Sequence, residues 1–178
     1  RLNKIKGPDI LLKAFLLIQN QHRNMHIIFA GPDGGMMHQL KELASANNLN
    51  DRLHFVGFLG SAEKLKAYYN AEFIVIPSRQ EAMSIVVLEA GMAGKSVLMT
   101  DQCGFNIIQT IGGGHIVKTT ISDVSRGLTK MLSDRSKLEK MGNKLRKYVY
   151  DNYLWDSIIG RYELMISNIL IARGKIKK

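Results

Sequence analysis

The sequence predicts an α/β domain, a doubly wound parallel sheet followed by a helical C-terminal segment. Three observations carry this. Short apolar runs alternate with helix-length stretches between residue 8 and about residue 117. That alternation is the pattern of βα units, whose strands form a parallel sheet covered on both faces. From about Ser122 onward the spacing is helical only.

The elements follow in order. Pro8 to Gln19 reads as a helix with proline in its first turn, where its missing N–H costs nothing. Met25 to Ala30 is a buried strand ending in the turn Gly31-Pro-Asp-Gly-Gly35, and Met36 to Asn47 is a helix with Leu40, Leu43 and Ala44 on one face. Leu53 to Gly57 is a strand, and Ser61 opens a helix that runs to Asn70. Phe73 to Pro77 is a strand stopped by its proline. Ser84 caps a helix through about Ala93, and Ser96 to Thr100 is a strand. The apolar pair Ile107-Ile108 precedes a Gly112-Gly-Gly114 turn and a last short strand at Ile116-Val117. Helices then cover Ser122 to Leu132, Asp134 to about Tyr150, and Leu154 to Ile171.

The 178 residues fit one domain, 46% hydrophobic and 22% charged, which excludes a disordered tail or a small disulfide scaffold. A single cysteine, Cys103, allows no internal disulfide. No apolar run reaches the roughly 18 residues of a membrane span, and no signal peptide is visible. The chain starts at Arg1 without methionine and reads as a piece of something longer. The net charge is +10, with part of the excess in the tail 173–178 and part around Lys137, Lys140, Lys144, Arg146 and Lys147. Such a balance attracts phosphorylated ligands, nucleic acid or anionic lipid. Aromatic residues do not interleave with these cations as a single-strand stacking platform requires, so a solvated face is the simpler account. A basic nucleic-acid- or membrane-binding module stays open as an alternative.

In open parallel sheets ligands bind beyond the carboxyl ends of the strands. Four loops lie there: 31–35, 57–60, 77–84 and 101–106. The segment from Pro77 to Glu89 is the most informative. Glu81 follows a buried strand, and Ser84 begins a helix whose free N–H groups and dipole favour an anion. Glu89 lies about 7.5 Å further along the axis at about 1.5 Å per residue, among apolar neighbours, so its carboxylate requires a partner. A ligand with a phosphate and flanking hydroxyls would serve both acids. A structural lysine or arginine would serve Glu89 equally.

These residues resemble a family. Glu81-x7-Glu89 behind Pro77-Ser-Arg is similar to the E-x7-E motif of the retaining family 4, or "group 1", glycosyltransferases of the GT-B fold. Glu89-Ala-Gly-Met-Ala-Gly-Lys-Ser-Val97 resembles E-A-x-A-x-G-K-P-V. Asp51-Arg-Leu-His-Phe-Val-Gly57 resembles D-R-V-x-F-x-G, and Arg1-Leu-x3-Lys6-Gly resembles the segment G-R-L-x3-K-G. The four matches keep the family's order.

The resemblance implies the C-terminal, donor-binding half of such an enzyme over residues 1–178, with the N-terminal acceptor domain absent and the fragment inactive alone. It implies retaining transfer of a hexose from a UDP- or GDP-linked sugar to a glycan or lipid-linked acceptor, in cell-surface polysaccharide or lipopolysaccharide synthesis. No metal or other cofactor is expected, and no nucleic acid partner. Arg1 and Lys6 match the basic pair that clamps the diphosphate. Glu81 matches the catalytic-site acid that contacts the transferred sugar. Ala82, Met83, Ser84 and Ile85 match the loop holding sugar and phosphate, Glu89 the acid on the ribose, and Phe58 and Leu59 the contacts to the base, with Lys64 beside it. The location implied is cytoplasmic, with peripheral contact at the inner membrane face. A GT-B sugar-nucleotide epimerase or phosphorylase half remains the related alternative. Two departures stand out: Glu81-Ala-Met-Ser84 replaces Glu-Gly-Phe-Gly, and the loop 104–107 offers Asn106 where the family carries an acid. The histidines at 22, 26, 38, 54 and 115 show no metal-ligand spacing, and Cys103 has no histidine near it in sequence.

Overall fold

The computed structural model describes residues 1–173 and 175. The basic tail predicted over 173–178 therefore lies mostly outside the described residues. Helix α1 (Pro8–Ile18) carries proline and Asp9 in its first turn and buries Ile10, Leu11, Leu12, Ala14, Phe15 and Ile18. Strand β1 (Ile27–Ala30) leads into α2 (Met37–Ala46). The Oδ1 of Asp33 accepts the N–H groups of Gly35, Met36 and Met37 at 2.9, 3.0 and 3.0 Å, satisfying donors that the helix start leaves free. Next come β2 (Leu53–Gly57), α3 (Ser61–Asn70), β3 (Ile74–Ile76), α4 (Ile85–Met92) and β4 (Val97–Thr100). The chain ends with α5 (Ile107–Thr110), β5 (Gly114–Val117), α6 (Ile121–Ser133), α7 (Arg135–Tyr153) and α8 (Trp155–Ala172).

Pairing is parallel throughout, but the strands form two sheets rather than one. β1 pairs with β2, and β3, β4 and β5 pair in that order. Between β1 and β3 there is no ladder. The segment before α1 links their ends instead. Leu2 forms a parallel bridge with Asp33 beyond β1, and the Ile5 carbonyl accepts the Arg79 N–H at 2.7 Å beyond β3.

Two apolar cores lie on opposite faces. One gathers α1, α2 and α6 residues such as Phe15, Leu40, Leu128 and Met131, with Leu98 of β4. The other gathers Val87, Ala90, Ile108, Leu145 and Val149, with Val97 and Met99 of β4. Successive β4 side chains thus enter different cores, and every β4 residue is buried. Each fully buried aliphatic side chain contributes about 1.5–3 kcal/mol. This double cover is the doubly wound arrangement that the sequence predicts. Two short elements differ from expectation: Ile107 and Ile108 sit in a helix, and Gly114 opens β5 instead of belonging to the turn.

Helix α7 meets the turn after α4 at backbone distance and packs its side chains on α4 itself. A Cβ at Gly142 would lie 1.9 Å from the Gly94 carbonyl oxygen, and one at Gly91 would lie 2.7 Å from the Val149 side chain. Helix α8 buries no residue, and Trp155, Ile159, Tyr162, Ile166 and Ile169 along one stripe are exposed.

Candidate functional site

The loops beyond the strands are tied in pairs. The Gly31 N–H donates to the Gly57 carbonyl at 2.6 Å, joining the loops after β1 and β2. The Glu81 and Ser84 N–H groups donate to the Gln102 and Cys103 carbonyls at 2.8 and 3.0 Å, joining the loops after β3 and β4. Residues 1–7 span from one pair to the other. Arg1 lies against Gly31 and Gly34, and Lys6 reaches the β3 loop.

Glu81 is the centre of that loop. Its side chain is 9% exposed, and Lys6 Nζ lies 3.0 Å from its Oε1. The buried Ser78 hydroxyl donates to the same oxygen. Burial opposes the charged form, but the Ser78 hydrogen bond and the Lys6 ammonium outweigh it and hold the carboxyl below the ordinary glutamate range. Glu81 is therefore a carboxylate at neutral pH, poised to accept further hydrogen bonds. Although it sits in a loop, its side chain is largely withdrawn from solvent.

Arg79 braces this arrangement. Its guanidinium grips both Asp9 oxygens, at 2.8 and 2.7 Å, and also donates to the Lys4 carbonyl. The fork geometry matches a carboxylate and fixes the start of α1 against the β3 loop. The hydrogen bond from Arg79 holds the Asp9 carboxyl below its usual range against the cost of burial.

The loop 82–85 leads into α4. Ala82, Met83 and Ile85 are exposed, while Ser84 is fully buried at the N-cap position. Its hydroxyl does not cap the helix, contrary to expectation, because the side chain is turned into the protein. Gly104 packs so tightly on this loop that a Cβ would lie 1.9 Å from the Ala82 carbonyl oxygen, and its φ of +64° is left-handed.

Glu89 is half-buried and already partnered. Lys64 Nζ donates to Oε1 at 2.8 Å, and the Tyr68 hydroxyl donates to Oε2 at 2.7 Å. The structure thus supplies the structural cation that the sequence left open, and it places Lys64 on Glu89. The helix is also less enclosed than its composition suggests, since Ile85 and Met92 are exposed. Phe58, at the end of β2, is 79% exposed and Leu59 is half-buried, so both stand at the mouth of the β2 loop.

Cys103 is buried between Thr100 and the Ile76 carbonyl, and burial pushes its thiol up, away from the reactive thiolate. His26, just before β1, stacks on His54 of β2 with ring nitrogens 3.0 Å apart. Among the described residues no three histidine, cysteine, aspartate or glutamate side chains converge to hold a metal. Among the same residues no helix is long and apolar enough to cross a membrane.

Residues 1–148 match the family model described as glycosyl transferases group 1. The chain belongs to this family. An uncharacterized glycosyltransferase of Methanocaldococcus jannaschii is 31% identical over 160 residues, covering 89% of the chain and 40% of that protein. A lipopolysaccharide 1,2-N-acetylglucosaminetransferase of Salmonella typhimurium is 24% identical over 178 residues, covering 94% and 46%. The chain spans less than half the length of either relative. Among solved structures, Anabaena HepE in complex with UDP superposes with a TM-score of 0.81 over 94% of the chain and 47% of that protein, at 18% identity. The fold of this group 1 glycosyltransferase chain is accordingly that of GT-B enzymes.

Three residues around the group 1 motif were not singled out from the sequence. Ser78 and Arg79 stand in the same Pro77-Ser-Arg segment as Glu81, and a buried serine and a forked cation at a strand end were a usable signal. Tyr68 carried none, because helical spacing alone does not show which α3 residue turns toward α4.

Proposed function

We propose that the chain is the donor-binding half of a retaining hexosyltransferase that uses a nucleoside diphosphate sugar, UDP- or GDP-linked. The observation that carries this reading is the Lys6–Glu81 pair, 3.0 Å apart at the start of α4. A fixed cation and a fixed carboxylate side by side suit a ligand whose phosphate adjoins a sugar. Glu81 accepts hydroxyls of the transferred sugar. Lys6 and Arg1, with the first N–H groups of α4, face the diphosphate and stabilise the charge that develops as it leaves. These fixed positive charges do the work that a divalent cation performs elsewhere, so the reading is metal-independent. Ala82, Met83, Ser84 and Ile85 shape the sugar pocket, Glu89 takes the ribose hydroxyls, and Phe58 and Leu59 border the base.

The acceptor is a glycan or a lipid-linked sugar, a reading supported by the lipopolysaccharide transferase among the relatives. In a relative-length protein the acceptor site belongs to the portion that this chain does not span, so the 178 residues bind donor without turnover. The reading places such a protein in the cytoplasm, in peripheral contact with the inner membrane face.

Calorimetry against UDP, GDP and ADP and their sugars, in EDTA, tests the proposal. Binding of one nucleoside diphosphate without metal is expected. Binding of none, or an absolute need for magnesium or manganese, overturns it.

A further inference from the structure

Helix α3 buries no residue, yet two of its side chains converge on one carboxylate of another helix. Lys64 approaches Glu89 Oε1 from the open side, its own side chain 48% exposed. Tyr68 approaches Oε2 from the protein side, its ring packed against the core that holds Val87 and Leu145. Each carboxylate oxygen has two acceptor directions. With one direction on each oxygen filled, each oxygen keeps one acceptor direction free. That is the acceptor pattern for two adjacent hydroxyls.

We propose that Tyr68 is a positioning residue that aims Glu89 at a vicinal diol, and so makes the site prefer ribonucleotides to 2′-deoxyribonucleotides. The inference rests on the reading of Glu89 as the acid on the ribose. The carboxylate needs such a brace. Glu89 is on an eight-residue helix and is 32% exposed, so without Tyr68 its terminal torsion turns freely and its acceptor plane is undefined. Lys64 cannot do the same, because its ammonium is a flexible point charge that fixes distance better than plane. The phenol is a neutral donor over the whole working range. Burial and the bond to Glu89 raise its pKa far above the ordinary tyrosine value.

The test compares, in the full chain, the affinity for the best-bound of UDP, GDP and ADP with that for its 2′-deoxy counterpart. Parent chain, Tyr68→Phe and Glu89→Gln are measured together with their melting temperatures. The parent is expected to prefer the ribonucleotide about tenfold, the scale of one charge-assisted hydrogen bond. Tyr68→Phe keeps the ring and is expected to cut that preference to about threefold or less, by losing ribonucleotide affinity while the deoxy affinity stays. A parent preference that vanishes in Glu89→Gln but survives in Tyr68→Phe overturns the role of Tyr68 alone. Equal loss of both affinities in Tyr68→Phe, or a Tyr68→Phe chain that does not fold, assigns Tyr68 a structural role and also overturns it. A parent without preference, or one whose preference survives Glu89→Gln, overturns the ribose reading of Glu89 and this inference with it.

Discussion

The Lys6 ammonium lies 3.0 Å from the Glu81 carboxylate, which joins the approach to α1 to the loop after β3. The two charges neutralise each other at the start of a helix whose dipole favours anions. On the proposed reading, an incoming phosphate meets a cation that is already oriented and needs only to share it. If so, a diphosphate should bind better than a monophosphate by at least about tenfold, about 1.4 kcal/mol. Lys6→Ala should erase most of that difference in calorimetry. Retention on heparin should barely change, since only one of 25 basic residues is removed. Equal binding of diphosphate and monophosphate by the parent chain would remove Lys6 from the donor site.

Glu81 makes stability depend on acid. Its pKa is lower folded than unfolded, where it returns to the ordinary glutamate value. The stabilising contribution is therefore complete above that unfolded value and is lost as pH falls through the folded one. Glu81→Gln should flatten this acid limb in melts taken as the pH falls below the ordinary glutamate range, measured against the parent. An unchanged limb would mean that other carboxyls account for it.

Glu89 and Lys64 form a pair that is open to water. An exposed ion pair contributes about 0.2–1 kcal/mol, so Lys64→Met should shift the melting temperature little. Glu89→Gln should cost about 1.5–3 kcal/mol of nucleotide affinity, because a charged hydrogen-bond acceptor is lost. A large drop in stability with unchanged affinity would reassign Glu89 to structure.

Arg79 is held more tightly. Its side chain is 31% exposed and that of Asp9 15%, and the bonds are bidentate. Arg79→Ala removes the forked side-chain donor of Asp9 and one of the two donors to the Lys4 carbonyl, and should cost about 1–3 kcal/mol in denaturant unfolding. Arg79→Lys should recover only part of this, because an ammonium cannot span both oxygens. Full recovery by lysine would show that charge alone suffices.

Gly104 leaves no room for a side chain. Gly104→Ala combines a left-handed φ with a Cβ 1.9 Å from the Ala82 carbonyl oxygen. It should cost more than about 2 kcal/mol and displace residues 82–84. Amide exchange at Met83 and Ser84 should rise well above that of β4. A neutral substitution would mean that the two loops yield easily.

Much of this was legible in the residues. Every predicted helix and strand exists, since buried β4 reads as a continuous apolar run and α3 starts at its serine as predicted. The four-residue α5 was not legible, because two isoleucines show no period. The break between β1 and β3 was invisible as well, since strand composition reports burial and not partners. Of the site, Lys6, Glu81 and Glu89 could be picked out by resemblance. Resemblance set Lys64 beside the base, but its pairing with Glu89 and the bond from Tyr68 could not be read, because contacts between distant segments leave no spacing to read. Which loop each of the two expected cations meets is likewise not readable from the sequence. Arg1 rests on the β1 loop and Lys6 on the β3 loop.

Gly142 of α7 meets the Gly94 carbonyl just beyond α4 with no side chain between them, while Gly91 of α4 seats the Val149 and Leu145 side chains of α7. A cushion of methyl groups could compress or re-rotamerise; two backbones cannot. The helix that carries Glu89 is thus registered against a helix that contributes nothing to the crevice. Its tolerance is set by α7, and a methyl group added at Gly142 would push on the backbone at Gly94 and Lys95, just beyond the helix that carries Glu89. Residues remote from the ligand along α7 therefore act as the datum from which the position of the motif acids is measured.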